Sequence, residues 1–274
     1  MKNLDLYKPH FHDLNIFNKN RIDLIKKSVE EHKEHYGSNR KERDKFYTLP
    51  YILKASTTWP LTLHVTMFMG SIEMLGTETQ QQEWYEKARN FEILGCYAQT
   101  ELGHGSDVQN LETTATYVLE NDTFILNTPS VSATKFWPGD LGIWATHAIV
   151  FAQMIIHNKN HGVHAFIVPI RDVNTFELLP GIEAGDIGPK FGFHSKDNGY
   201  LIMNNVVIPK RNMLRRFVSV SKTGEIKKKG DPKVSYAIMM VTRQIISNLI
   251  PRVYGQAITI ASRYSLFRTQ FLTS

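Results

Sequence analysis

The spacing of hydrophobic residues changes twice along this chain, and the two changes set out its organisation. Over residues 1–94 the period is helical. "NRIDLIKKSVEEHKEH" places Ile22, Ile25 and Val29 on one face and is followed by Gly37 as a stop. "PLTLHVTMFMGSIEMLG" begins with Pro60, suited to a first helical turn, and ends at Gly76. In "TETQ", Thr77 is placed as an N-cap with Gln80 three residues on, a capping-box pattern that opens a further helix through Trp84.

At Gly95 the period shortens to two. "LETTATYVLENDTFILN" alternates in two runs about Glu120-Asn121-Asp122 and predicts a hairpin. "HAIVFAQMII" and "HAFIVPI" predict strands separated by the turn-rich "HNKNHG". "NGYLIMNNVVIP" predicts two more about Asn204-Asn205. Turn-rich "KTGEIKKKGDPK" closes this block. After Lys233 a helical period returns, with Ile245, Leu249, Val253, Ile260 and Tyr264 able to share a face. Pro251 is expected to kink or restart that helix. The order predicts an α+β chain: helical residues 1–94, β-rich residues 95–232, and the beginning of a second helical domain over 233–274. No internal repeat or low-complexity segment interrupts it.

Composition narrows the class. The 274 residues are 42% hydrophobic and 21% charged, which allows a buried core. No apolar run approaches the ~18–20 residues of a membrane span. The N-terminus lacks the apolar region of a secretory signal. One cysteine, Cys96, excludes an intrachain disulfide, and its plain reading is a small buried hydrophobe. The net charge of +6 and pI of 9.2 admit nucleic acid or a small phosphorylated molecule as partner. The densest basic run, Lys227 to Lys229, sits among Gly and Pro without interleaved aromatics and reads as a solvated loop.

The chemistry concentrates in "GCYAQTELGHGSD", Gly95 to Asp107. Glu101-x-x-His104 offers half a metal motif, short of the ligand set zinc catalysis needs, and no metal site is expected. An acid/base pair of Glu101 and His104 competes with a plain loop hydrogen bond. "GHG" lacks the spacing of a nucleotide loop. The remaining reading is backbone laid against a flat cofactor. Gly103 and Gly105 remove side chains, Tyr97 to Thr100 end a strand with amides and a hydroxyl, and "KFWPGDLG" adds Trp137 and the Pro138-Gly139 bend.

Taken together, "YAQTELGHGSDVQNLETTATY", "KFWPGDLG", "HAFIVPIRD", "LLPGIEAGDIGPK" and "DNGYLIMNNVVIP" resemble the peroxisomal acyl-CoA oxidases, of the acyl-CoA dehydrogenase/oxidase flavoprotein superfamily. The resemblance is dense from about Tyr97 to Met213 and continues through "IASRYSLFRTQF". It implies an antiparallel β-barrel-like middle domain between helical domains, and a homodimer built around FAD. The implied reaction oxidises a fatty acyl-CoA to the trans-2-enoyl-CoA, with O₂ reduced to H₂O₂, as the first step of peroxisomal β-oxidation. A carboxylate takes the α-proton while the β-hydrogen leaves as hydride to the flavin.

Carried onto this sequence, the resemblance gives flavin contacts to Thr100 and Gly139, with Tyr97, Gln99 and Trp137 beside them. Gly105 and Ser106 fall in the loop beside the substrate thioester, and Arg268 of "RTQF" matches an arginine that reaches the neighbouring subunit's FAD. The family's glutamate base is expected beyond Ser274, so no catalytic residue is assigned and a shortened form is expected. The C-terminal "LTS" departs from a Ser-Lys-Leu type address, so peroxisomal location rests on resemblance. The alternatives are an acyl-CoA dehydrogenase and a non-catalytic acyl-CoA- or flavin-binding relative. A nucleic-acid binder has only charge in its favour.

Overall fold

The computed structural model describes residues 63–191, 196–230 and 237–271. The helix expected about Ile22, Ile25 and Val29 lies outside the described residues. A π-helical turn, His64–Phe68, runs into the helix Met69–Leu75 (α1), which stops at Gly76. Thr77 and Gln80 then form the expected capping box, each side chain accepting from the other's backbone amide. It opens Glu78–Gln80 (α2), followed by a π-helical turn Gln81–Tyr85 and by Glu86–Arg89 (α3). Their inward face, with Phe68, Ile72, Trp84 and Ala88, packs on one side of the main sheet.

That sheet begins with Gly95–Ala98 (β1). Thr114–Val118 (β2) and Thr123–Asn127 (β3) form the expected hairpin. Lys135–Gly139 (β4) belongs to a second sheet. His147–Ile156 (β5) and Lys159–Pro169 (β6) pair antiparallel. Their turn is only His157-Asn158, at φ 50° and 57°, the left-handed pair that suits a two-residue hairpin. Strand β6 therefore starts inside the "HNKNHG" segment. Ile182–Asp186 (β7) and Asn198–Met203 (β8) join β4 in a three-stranded sheet, order β4-β8-β7. Val206–Pro209 (β9) pairs instead with β3. Asn204-Asn205, with Asn205 at φ 51°, is thus a corner where the chain changes sheet.

The main sheet runs β1-β5-β2-β3-β9, with β6 on the other side of β5, and the whole is a mixed helix-and-sheet fold with a curled half-barrel sheet. It is not wholly antiparallel: β1 and β2 both lie parallel to β5. Long connections make this possible, because parallel neighbours cannot be joined by a tight turn. Strand β5 is buried on both faces, which is why its sequence is apolar from Ala148 to Ile156 except at Gln153, whose amide is taken up by the Gln109 and Leu111 carbonyls. Ala148, Val150, Ala152 and Met154 face the core within the sheets, while Ile149 and Phe151 face the helices. Cys96 is buried in the first of these cores.

Two further expectations change. The segment read as a closing loop folds into a small hairpin, Val218–Val220 (β10) with Ile226–Lys228 (β11), in which Lys227 and Lys228 stay exposed. Of the two outcomes expected at Pro251, a restart is excluded, because the last helix, Ala237–Phe267 (α4), is continuous through it. Val253, Ile260 and Tyr264 are exposed on α4; the side chains of Ile245 and Leu249 lie outside the described residues.

Candidate functional site

The site grows out of a gap in the main sheet. The chain leaves it at Ala98, opposite Val150 of β5, and returns at Thr114, opposite Gln153. In this gap the carbonyl of Phe151 would face no strand. Lys135, fully buried on β4, donates to that carbonyl at 2.6 Å. The same ammonium donates to the Gln99 carbonyl at 3.1 Å and to Glu101 Oε1 at 3.0 Å. All three of its donors are used, as burial demands. Burial pulls the Lys135 pKa down to about 8, with Glu101 opposing.

Glu101 is equally committed. Besides Lys135, it accepts from the Thr113 hydroxyl at 2.5 Å, the Thr113 and Glu112 amides at 3.0 and 2.8 Å, and His104 Nδ1 at 3.0 Å. Burial works to raise its pKa, but Lys135's charge and these hydrogen bonds win and hold the carboxyl low. A carboxylate engaged by five donors fixes structure; it is not poised to take a proton.

Above this pair, the strand exit and the Trp-Pro-Gly turn lie side by side. The Phe136 amide donates to the Thr100 carbonyl at 3.1 Å, and Thr100 Oγ1 donates back to the Phe136 carbonyl at 2.7 Å. Trp137 is 55% exposed and held at φ 80°, a conformation costly for a bulky residue. Its carbonyl accepts from Asn198 Nδ2 at 2.7 Å, across a register shift between β4 and β8. Gly139 is buried, and a Cβ there would lie 2.6 Å from Leu63 Cδ1 and 2.7 Å from Lys196 Cε. A side chain here would have to displace the ends of Leu63 and Lys196, so packing favours glycine irrespective of any ligand. The adjacent Asp140 is buried against the Lys196 ammonium, and burial raises its pKa while Lys196 opposes. The buried Arg171 guanidinium then ties down the carbonyls of Leu141, Gly142 and Ala145, fixing the chain after the turn.

The structure therefore brings Tyr97, Gln99, Thr100, Trp137 and Gly139 to one region. The Tyr97 hydroxyl donates to Gln99 Oε1 at 3.1 Å, its ring packs on Phe151, and burial pushes its pKa up. Gly105 and Ser106 are exposed on the loop that follows Glu101. No atom lies within 4 Å of where a Gly105 Cβ would stand, so this chain's own packing gives no reason for glycine there. Arg268 is exposed just past the end of α4. Sequence reasoning missed Lys135, Asp140, Arg171 and Lys196. Arg171 had a signal, an arginine directly after the apolar run "HAFIVPI"; Lys135 had none nearby, its carboxylate standing 34 residues away.

Comparison with known proteins agrees on one family. Residues 3–94 match the family described as acyl-coenzyme A oxidase N-terminal, and residues 96–206 match the acyl-CoA dehydrogenase middle domain. Peroxisomal acyl-coenzyme A oxidase 1 of Homo sapiens is 46% identical over 211 residues, 77% of this chain and 32% of that protein. The Rattus norvegicus protein of the same name is 41% identical over 252 residues, 92% of this chain and 37% of that protein. Among solved structures, Arabidopsis thaliana acyl-CoA oxidase 1 superposes with a TM-score of 0.85 at 36% identity, over 98% of this chain and 40% of that one. Acyl-CoA oxidase-2 of Caenorhabditis elegans, bound with FAD, ascaroside-CoA and ATP, gives 0.85 at 36% identity, over 96% and 39%. The chain spans about a third of the length of the curated relatives it matches.

Proposed function

Over its N-terminal and middle portions the chain belongs to the acyl-CoA oxidase family, and from that premise we propose that it is the flavin- and thioester-binding part of a peroxisomal, FAD-dependent acyl-CoA oxidase. In this reading residues 1–94 form the helical domain, 95–232 the β domain and 233–274 the start of the next helical domain, in a homodimer. The observation that carries it is the Thr100–Phe136 contact, which sets the strand exit against the Trp137 turn as one shelf. An exposed tryptophan held in a costly conformation at that shelf supports a face built for a flat ring.

FAD held here would supply the redox chemistry, acceptance of the β-hydrogen as hydride and return of the electrons to O₂ as H₂O₂, while the α-proton would have to leave to a base outside the residues described. The chain's own residues do the holding. Tyr97, Gln99, Thr100, Trp137 and Gly139 frame the ring, the first two chiefly through backbone, since their side chains engage each other. Arg268 serves the neighbouring subunit's FAD. Gly105 and Ser106 meet the thioester, where amides directed at its oxygen stabilise the developing enolate by several kcal/mol. Glu101 is no base in this scheme, because its oxygens are occupied. Among the described residues no helix is long and apolar enough to cross a membrane.

The test is FAD titration into the purified apo-chain, followed by flavin absorbance and fluorescence. Saturable binding with a perturbed spectrum is expected; no binding overturns the reading. Peroxide release from palmitoyl-CoA in air, compared with dye reduction under argon, separates an oxidase from a dehydrogenase that passes its electrons to a carrier.

A further inference from the structure

The loop after Glu101 has one anchored and one open half, and His104 stands at the boundary. On the anchored side, Leu102 N donates to Thr134 O at 2.8 Å and Gly103 N to Ser132 O at 2.9 Å. The backbones of Glu101 and His104 bond each other in both directions, at 3.2 and 3.0 Å. The His104 ring turns inward, its side chain 18% exposed between exposed Gly103 and Gly105. Its Nδ1 lies 3.0 Å from Glu101 Oε2 and its Nε2 lies 3.7 Å from Glu112 Oε1. Glu112 is in turn held by the hydroxyls of Ser130 and Ser132. A carboxylate held ionised only accepts, so Nδ1 carries the proton that joins ring to acid. Immediately beyond, around Gly105, the space is open.

We propose that His104 is a positioning residue for acyl-CoA. Its Nδ1–H bond to Glu101 fixes where the Gly105-Ser106 backbone stands to meet the thioester. This rests on the acyl-CoA reading above. The histidine touches neither substrate nor flavin; it transmits the rigidity of the buried Lys135–Glu101 pair to the open half of the loop.

The test uses the full chain with FAD and a thioether analogue of palmitoyl-CoA, which binds without reacting. His104→Ala should weaken analogue binding about tenfold and leave FAD affinity unchanged, both read at temperatures where the variant is fully folded, because loss of the bond to Glu101 also lowers the thermal midpoint. His104→Asn puts an amide N–H where Nδ1 was and should restore most of the affinity. His104→Gln, whose amide reaches the Nε2 position, should not. Wild-type affinity in His104→Ala, an Asn variant no better than Ala, or binding loss seen only at temperatures where the variant unfolds overturns the proposal while leaving the function reading intact. A wild-type chain that binds neither FAD nor analogue removes both.

Discussion

Lys135 Nζ and Glu101 Oε1 stand 3.0 Å apart with neither side chain exposed, and this pair closes the gap between two strands that share one edge of β5. Removing one member leaves the other's charge buried. Lys135→Met should therefore destabilise the chain by about 3–5 kcal/mol. The double variant Lys135→Met/Glu101→Gln carries no net buried charge and should recover much of that loss. Urea midpoints of the three proteins check it; a double variant no better than the single would show that geometry, not charge, dominates.

Thr100 serves the fold and, in our reading, the cofactor. Thr100→Val removes the bond to the Phe136 carbonyl and should cost about 1 kcal/mol of stability. Thr100→Ser keeps the hydroxyl and should behave as wild type. If the hydroxyl also meets the flavin, the valine variant loses FAD affinity at temperatures where it is fully folded. Unaltered flavin affinity and spectrum in that variant would confine Thr100 to a structural role.

Trp137 should show opposing effects on stability and binding. At φ 80° its backbone is relieved by glycine, and the exposed ring gives little packing in return. Trp137→Gly should stabilise the apo-chain by about 1 kcal/mol, strain relief less the entropy glycine adds to the unfolded state. FAD affinity should fall. A variant both less stable and equally able to bind FAD contradicts the assignment of this residue to the shelf.

Two buried histidines set the acid limit of the fold. Burial pulls His64 and His147 down to about 4 from 6.5, with Lys87 adding to the effect at His147. Between those values the unfolded chain binds protons that the folded chain refuses, so stability is present above pH 6.5 and falls as pH drops towards 4. Each histidine contributes on the order of 3 kcal/mol to that fall. Denaturation midpoints measured across this window should decline steeply, and His147→Gln should make the decline shallower. An unchanged slope in that variant would mean His147 is already charged in the fold.

Local features were legible in the sequence because local physics sets them. The Thr77/Gln80 capping box and the β2–β3 hairpin each involve neighbours along the chain. Pairings made by distant segments were not legible. Nothing in "GCYA" states that it lies parallel to "HAIV", or that β9 leaves β8 for β3. The basic β11 strand was hidden because exposed lysines on an edge hairpin resemble a solvated loop. Within the site, "YAQTELGHGSD" and "KFWPGD" could be found by residue type. The buried Lys135 could not, since only the missing strand partner of Phe151 explains why an ammonium belongs there.

Ala98 and Thr114 dock on β5 only three residues apart, opposite Val150 and Gln153, a span of about 10 Å at strand spacing. The fifteen intervening residues, 99–113, thus leave and re-enter the sheet through one narrow eyelet riveted by Lys135. Beyond the rivet and the Gly105-Ser106 backbone, the residues from Asp107 to Asn110 lie outside the strand ladder, with the Gln109 carbonyl accepting from Gln153 Nε2 of β5. Insertions and substitutions there that spare this bond can accumulate without disturbing the scaffold. Divergence within a lineage of such proteins should concentrate in that stretch, and an engineer seeking a new substrate range has a defined place to vary length.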